Sequence, residues 1–433
     1  MRWLVLSASG LLALLGCSST SSDSGTDPGG DEDIQGNELA AGNCTGTTPY
    51  TTAWVADPKL CVYVYASGLG AARQIAFAPN GDLFVSNGKV TVLWDDNKNG
   101  TSDSNEQGTF ATASGLNHGL AFSPDFKFLY ASSATTIYRW AYTGSRTATG
   151  PAQVVVRGIP SGGHSARTLV FDSRGRLYVN VGSSGNVDTT QQLWDTRAQV
   201  RRFAIPSTIP SGGINYTSGE VVAKGLRNEN GLFVDAQDRL WGVENGRDNL
   251  TDPDTGDIHN DNPGEEINLL EDGGNRFYGY PFCYSEYKIN GGGGAGTQWA
   301  DQTLATSIRK TDTWCRDTNN VRRPKFVMQA HWAPLGLAQY TGSSLPYTND
   351  FIIAIHGSWN RSPATGKLLA RATYQNGEIV AVTPIVGEKN ASGGLGQGQA
   401  GAPRPVDVRQ GADGAVYYSD DDGGRIFKVG YRQ

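Results

Sequence analysis

Four stretches of the chain carry side chains able to do chemistry. Gly163-His-Ser-Ala-Arg167 ends just before an alternating run, Leu169-Val-Phe171. An imidazole at the point where a loop meets a rigid scaffold suits general acid–base work. Gly225-Leu-Arg-Asn228 stands in the same place ahead of another run, Leu232-Phe-Val234, so Arg227 and Asn228 match His164 and Arg167 in position. His356-Gly-Ser-Trp-Asn-Arg361 follows an apolar run, and Arg404-Pro-Val-Asp-Val408 opens the last one. A guanidinium is always charged, and its fork grips carboxylates in pairs. His164, Arg227, Arg361 and Arg404 thus gather polar groups at equivalent strand-entry or strand-exit positions, and His164 reads as either a working residue or a turn residue. The other three of the five histidines, His118, His259 and His331, read as structural.

Two further stretches offer oxygen ligands for a hard cation. Asp95, Asn97, Asn99, Thr101, Asp103 and Glu106 fall at positions 1, 3, 5, 7, 9 and 12 of a twelve-residue calcium loop, with Gly100 at position 6. The run Val90–Trp94 before it reads as a strand where an EF-hand has a helix, so a Ca²⁺ loop on a hairpin is expected. Glu244-Asn-Gly-Arg-Asp-Asn249 leads into an acidic loop through Asp252, Asp254, Asp257 and Asp261, then Glu265-Glu-Ile-Asn-Leu-Leu270. Acidic loops are usually only solvated, so this second signal is weaker alone.

A recurring hairpin must position these groups. Ile75–Val85, Gly119–Tyr130, Leu169–Val181 and Gly231–Trp241 each read as a strand, a tight turn and a strand. A degenerate copy runs from Gly336 through Phe351–Ile355, and a sixth covers Val406–Tyr418, with Gly424–Val429 after it as an outer strand. Taking Phe77, Phe122, Phe171, Phe233, Tyr340 and Val408 as equivalent, the steps are 45, 49, 62, 107 and 68 residues. A period near 45 with several strands per unit is a propeller signature, and longer steps are blades with insertions. The fold expected is all-β: a six-bladed β-propeller with loop insertions on its top face.

Composition agrees. Glycine, at 57 of 433 residues, is about twice its usual share. A net charge of −6 gives no basic footprint, so no nucleic-acid partner is expected. Arg2 followed by an apolar run from Leu4 to Leu15 reads as a targeting segment, too short to span a bilayer. It ends Leu14-Leu-Gly-Cys17, which resembles a bacterial lipoprotein signal. Cleavage before Cys17, a lipid anchor as the only membrane attachment, and a cell-envelope location are therefore expected. The divisions are a signal peptide (1–16), a Ser/Gly/Asp-rich flexible tether (17–43) and the propeller (44–433). Export puts Cys44, Cys61, Cys283 and Cys315 in an oxidising compartment. Of three possible connectivities, the local pairing Cys44–Cys61 and Cys283–Cys315 is expected because it closes the shortest loops.

Together these motifs resemble the pyrroloquinoline-quinone-dependent glucose/sorbosone dehydrogenase family, the soluble aldose sugar dehydrogenases, over roughly residues 60–430. His356–Arg361 places the resemblance nearest the sorbosone/pyranose branch. It implies pyrroloquinoline quinone (PQQ) lying flat on the top face, held by arginines and Ca²⁺. By position, it makes His164 the base for the sugar hydroxyl, with hydride passing to the quinone. It makes Arg227 the stabiliser of the developing oxyanion, with Asn228 beside it. Gly246 and Arg247 would offer carbonyls to Ca²⁺ and Asp248 its side chain, while Arg167, Arg361 and Arg404 would contact the cofactor. The partners implied are a sugar substrate and a separate electron acceptor, a cytochrome or a quinone. Two departures stand out. The family's glucose-oxidising members have a lysine in the fifth-blade segment, where this chain offers Arg361. They also have a second arginine where this chain has Val406. A carbohydrate-binding propeller without catalysis and a calcium-dependent lactonase-type hydrolase are the alternative functions.

Overall fold

The computed structural model describes residues 43–190, 192–270 and 276–433. The expected signal peptide, Cys17 and the tether before Asn43 lie outside the described residues. The chain divides into Met1–Leu39 and Ala40–Gln433, and only the second unit is considered below.

That unit is a six-bladed propeller. Blade one comprises Ile75–Phe77, Leu83–Ser86, Val90–Leu93 and Gln107–Ala111. Blade two comprises Leu116–Phe122, Phe128–Ser133, Thr136–Ala141 and Gln153–Arg157. Blade three comprises Leu169–Phe171, Arg176–Val181, Gln199–Ala204 and Glu220–Lys224. Blade four comprises Glu229–Val234, Leu240–Glu244, Glu265–Leu270 and Phe326–Met328. Blade five comprises Pro334–Gln339, Phe351–Ile355, Leu368–Gln375 and Glu378–Glu388. Blade six comprises Pro405–Gln410, Val416–Asp420, Arg425–Tyr431 and Leu60–Ala66. The first strand of each blade packs on the first strand of the next, and the sixth returns to the first.

The hairpins hold because their turns are pinned by side chains. In blade three the Asp172 carboxylate accepts from the backbone amides of Arg174 and Arg176, at 3.1 and 2.8 Å. Asp235 does the same for Gln237 and Arg239 in blade four, at 2.9 and 3.0 Å. Such Asx turns satisfy amides that the ladder leaves over. One apolar cluster then fills each gap between neighbouring blades. Phe84 meets Phe110 and Phe122 between blades one and two, and Trp241 meets Phe351 between blades four and five. Each such side chain contributes about 1.5–3 kcal/mol by burial.

The ring is closed by the chain's own early strand. Leu60–Ala66 pairs antiparallel with Arg425–Tyr431 as the outermost strand of blade six. Gly424–Val429, expected as an outer strand, is the third of the four. The 107-residue step has its cause in an insert between the third and fourth strands of blade four. It contains the Cys283–Ser285/Gln298–Ala300 hairpin and a short helix, Asp312–Arg316, capped by Thr311. Both disulfides pair as expected, Cys44 with Cys61 and Cys283 with Cys315.

Candidate active site

The loop before each inner strand brings polar groups to one end of the ring. His164 Nδ1 lies 3.1 Å from both the carbonyl oxygen and the hydroxyl of Ser183. That hydroxyl donates to Gly185 O at 2.7 Å, and a carbonyl only accepts. Nδ1 therefore carries the hydrogen and Nε2 the lone pair. Nε2 bonds to no described residue, so a basic nitrogen is left facing outward. Gly182 makes this packing possible: a Cβ there would sit 2.6 Å from His164 Cβ and 3.0 Å from Arg227 O. Burial, then the nearby charge of Arg227, lowers the His164 pKa to about 4. The imidazole is thus neutral at neutral pH.

Arg167 is corrected. It is fully buried under the His164 loop at 0 % exposure. Its guanidinium donates to the carbonyls of Pro160, His164 and Ala166 at 2.7–2.8 Å and to Ala134 O at 3.1 Å. It pins the loop that presents His164, and burial lowers its pKa to about 10. It has no part facing a ligand.

Arg227 organises the loop that follows blade four's second strand. Its Nε and Nη2 donate to Asn186 O and Oδ1 at 3.2 and 3.1 Å. Nη1 donates to Asn245 O and Gly246 O at 3.2 and 2.6 Å, and Nη2 pairs with Asp248 at 2.9 Å. All five N–H groups are occupied, so Arg227 reaches the reacting region through its charge and not through a free donor. Asn186 closes the frame, accepting from Asp248 N and donating to Asp248 O, both at 2.7 Å. Below, Glu265 accepts from Gly246 N at 2.7 Å, and Glu244 accepts from Arg227 N. Burial pushes the Glu265 pKa up to about 7 and raises those of Glu229, Glu244 and Glu266. The loop at Gly246, Arg247 and Asp248 is thereby held in a fixed bend, in which the Gly246 carbonyl keeps one lone pair beside its bond from Arg227 and the Arg247 carbonyl accepts from no described donor, the oxygens a hard cation would use. The Arg247 side chain turns away to Asp301 and Thr303 of the insert. Asn228 is buried, and its Oδ1 has no partner among the described residues; it lies 3.1 Å from where a Cβ on Gly182 would stand.

Across the ring, Arg404 Nη2 donates to His356 Nδ1 at 2.9 Å, and His356 Nε2 donates to Asp421 at 3.0 Å. Asp421 also pairs with Arg73, whose Nε donates to His118 Nδ1 at 3.2 Å. His118 Nε2 reaches Thr168 Oγ1 at 3.1 Å, and Thr168 donates to Asn230 O. Each imidazole accepts from an arginine at Nδ1, so each carries its hydrogen on Nε2. This chain touches all six blades. Burial holds the pKa of both histidines below the ordinary imidazole value. Arg361 is the second correction. It binds Asn260 O at 2.9 Å, Pro363 O at 2.7 Å and Asp261 at 3.1 Å, away from Arg404. The cation beside Arg404 is Lys367, whose pKa is lowered by burial and then by the Arg404 charge.

The calcium-loop stretch adopts the bend its spacing requires. Asp95 accepts from Asn99 N and Gly100 N at 3.0 and 2.9 Å. Glu106 accepts from Asp96 N and Asn97 N at 2.9 and 3.2 Å. Asn97 and Asn99 both meet Asp103, at 3.0 and 2.9 Å, while Thr101 Oγ1 accepts from Thr47 N at 2.9 Å. Among the described residues no three His, Cys, Asp or Glu side chains form a ready cation cage. A twelve-residue loop also uses Asn and carbonyl oxygens.

Residues the sequence reading missed are Ser183, Asn186, Arg73, Asp421 and Lys367. Arg73 precedes the inner strand of blade one as His164 and Arg227 precede theirs, so the same positional signal extends to it, whereas His118 lies within the inner strand of blade two.

The TrAA12-like family model matches residues 55–432. A pyrroloquinoline quinone-dependent pyranose dehydrogenase of Coprinopsis cinerea is 30% identical over 340 residues, 72% of this chain and 46% of that protein. The chain thus spans about half the length of that relative. A pyrroloquinoline quinone-dependent sugar dehydrogenase of Hypocrea jecorina is 29% identical over 411 residues, 89% of this chain and 92% of that protein. The holo PQQ domain of the Coprinopsis enzyme superposes with a TM-score of 0.78 at 28% identity, covering 89% of this chain and 98% of that one. The calcium structure of the Trichoderma reesei family AA12 protein gives 0.76 at 27% identity, covering 89% and 98%. With all six blades inside the matched span, the chain belongs to the TrAA12-like family.

Proposed function

We propose that this chain is a PQQ-dependent sugar dehydrogenase that oxidises a pyranose or similar aldose. The observation that carries this reading is the outward Nε2 lone pair of His164, fixed by Ser183 beside the Arg227 charge. The family and the two named relatives support it. His164 Nε2 takes the proton of the sugar hydroxyl while the C–H bond gives up its electron pair with the hydrogen. Arg227 steadies the developing negative charge at long range and holds the Gly246–Asp248 bend. Arg404 and Lys367 face the carboxylates of the cofactor, and Asn228 Oδ1 accepts from substrate or cofactor. When bound, the quinone supplies the electrophilic carbon that accepts hydride. Ca²⁺ would be held by the carbonyls of Gly246 and Arg247 and would supply Lewis acidity there. The electrons then leave to a separate acceptor, a cytochrome or a quinone. Lipidation at Cys17 would tether the enzyme in the cell envelope.

A second reading, carbohydrate binding without turnover, is favoured by one observation: Arg361 turns away and Val406 offers no donor. Titration of the purified protein with PQQ separates the readings. Saturable one-to-one quenching that a calcium chelator abolishes is expected. No quenching with Ca²⁺ present would sink the dehydrogenase reading.

The loop Asp95–Glu106 is proposed to hold a second, structural Ca²⁺. Asp95→Ala should lower the bound calcium by one ion per chain, measured by atomic emission after dialysis against trace Ca²⁺. An unchanged count would remove the proposal.

A further inference from the structure

Val406 leaves the site one arginine short of the pattern that its resemblance implies. The side chain is at 0 % exposure and carries no donor. Around the ring, however, Arg73 enters from the loop before blade one. Its Nε is held by His118 and its Nη1 by Asp421, while its Nη2 bonds to no described residue. Arg404 is held similarly: Nε and Nη2 are fixed on the carbonyl and Nδ1 of His356 at 3.4 and 2.9 Å, and Nη1 is left without a described partner. Asp421 thus links the two guanidinium groups, binding Arg73 directly and Arg404 through His356, and each arginine keeps a nitrogen for something else.

Three cations, Arg73, Arg404 and Lys367, gather at this edge; Asp421 lies between the two arginines, and Asp422 and Asp420 act on Lys367. Asp420 is engaged by Arg425. Asp421 is itself kept strongly ionised, since its hydrogen bond from His356 and the charge of Arg73 outweigh its burial. A polycarboxylate anion lying over this edge would accept from the two nitrogens left over, Arg73 Nη2 and Arg404 Nη1, and paired guanidinium groups are the donors it needs.

We propose that Arg73 is the second carboxylate-binding arginine of the cofactor site, supplied by blade one in place of the donor that Val406 lacks, and that Asp421 positions it together with Arg404 through His356. This rests on the reading of the site as a PQQ site.

The test is equilibrium titration of the Ca²⁺-loaded apoprotein with PQQ, followed by tryptophan quenching. Arg73→Ala should raise Kd at least tenfold and Arg73→Lys by an intermediate amount. Asp421→Asn distinguishes positioning from bulk charge. Removing a negative charge alone would tighten anion binding, whereas loss of the arginine support loosens it, and a severalfold rise in Kd is expected. If Arg73→Ala lacks the wild-type near-ultraviolet circular dichroism, Arg73→Met, which keeps the aliphatic stem, carries the measurement. A Kd within twofold of wild type in the folded Arg73 variant, or tighter binding in Asp421→Asn, overturns the proposal while leaving the quinone site standing. Absence of PQQ binding by the wild type overturns both.

Discussion

His164→Ala is expected to lower kcat by about 10²–10⁴-fold, the usual contribution of a positioned base, while PQQ binds as in the wild type. The imidazole contributes a lone pair at Nε2 and no contact that holds the cofactor, so binding and turnover should separate. Steady-state assay with an artificial electron acceptor, alongside quinone titration, measures the two. The pH dependence follows from the same residue. Its conjugate acid has a pKa of about 4 in the free protein, lowered by burial and then by Arg227. The base is therefore neutral and active above that value and is lost as pH falls through it. The acid limb of kcat/KM should fall near pH 4, well below the ordinary histidine range. The same depressed pKa makes a stability contribution that is complete above about 6.5 and lost as pH falls toward about 4. Unchanged turnover in His164→Ala would remove this residue from the chemistry.

Arg227→Ala should be the most damaging single change to the Gly246–Asp248 bend. Arg227 and Asp248 are both nearly buried, with side chains 6% and 12% exposed. Removing one partner of such a pair costs about 3–5 kcal/mol, because the other charge is left unpaired. Urea unfolding measures that loss directly. Arg227→Lys keeps the charge but replaces five directed N–H groups with three on a single nitrogen. It cannot serve Asn186, Asn245, Gly246 and Asp248 together. The Ca²⁺ concentration for half-maximal reconstitution should rise at least tenfold, with stability closer to wild type than in Arg227→Ala. A lysine variant that reconstitutes at the wild-type Ca²⁺ concentration would show that the fork geometry is not what shapes the loop.

The propeller was legible because each blade repeats one hairpin whose alternating apolar residues face its neighbours. Phe77, Phe122, Phe171, Phe233 and Val408 all fall on inner strands, and Tyr340 lies one residue beyond one. The position of His164 was legible for the same reason. Direction was not. Arg167 and Arg361 sit at the expected places in sequence, but local carbonyls and Asp261 capture their guanidinium groups. A long side chain at a rim can turn either way, and the nearest acceptors decide it. Nor was the chain from Arg404 to Thr168 legible, since residues 73, 118, 168, 356, 404 and 421 meet only when the ring closes. The closing strand Leu60–Ala66 lies far in sequence from the strand it completes, and no repeat marks it.

The most direct test is sugar-dependent reduction of an artificial electron acceptor by the purified protein, with PQQ and Ca²⁺ each added and each omitted. Dye reduction with at least one pyranose or other aldose, requiring both additions and lost in His164→Ala, is the predicted result. A protein that binds PQQ and Ca²⁺ yet reduces no dye with any sugar offered would contradict the assignment.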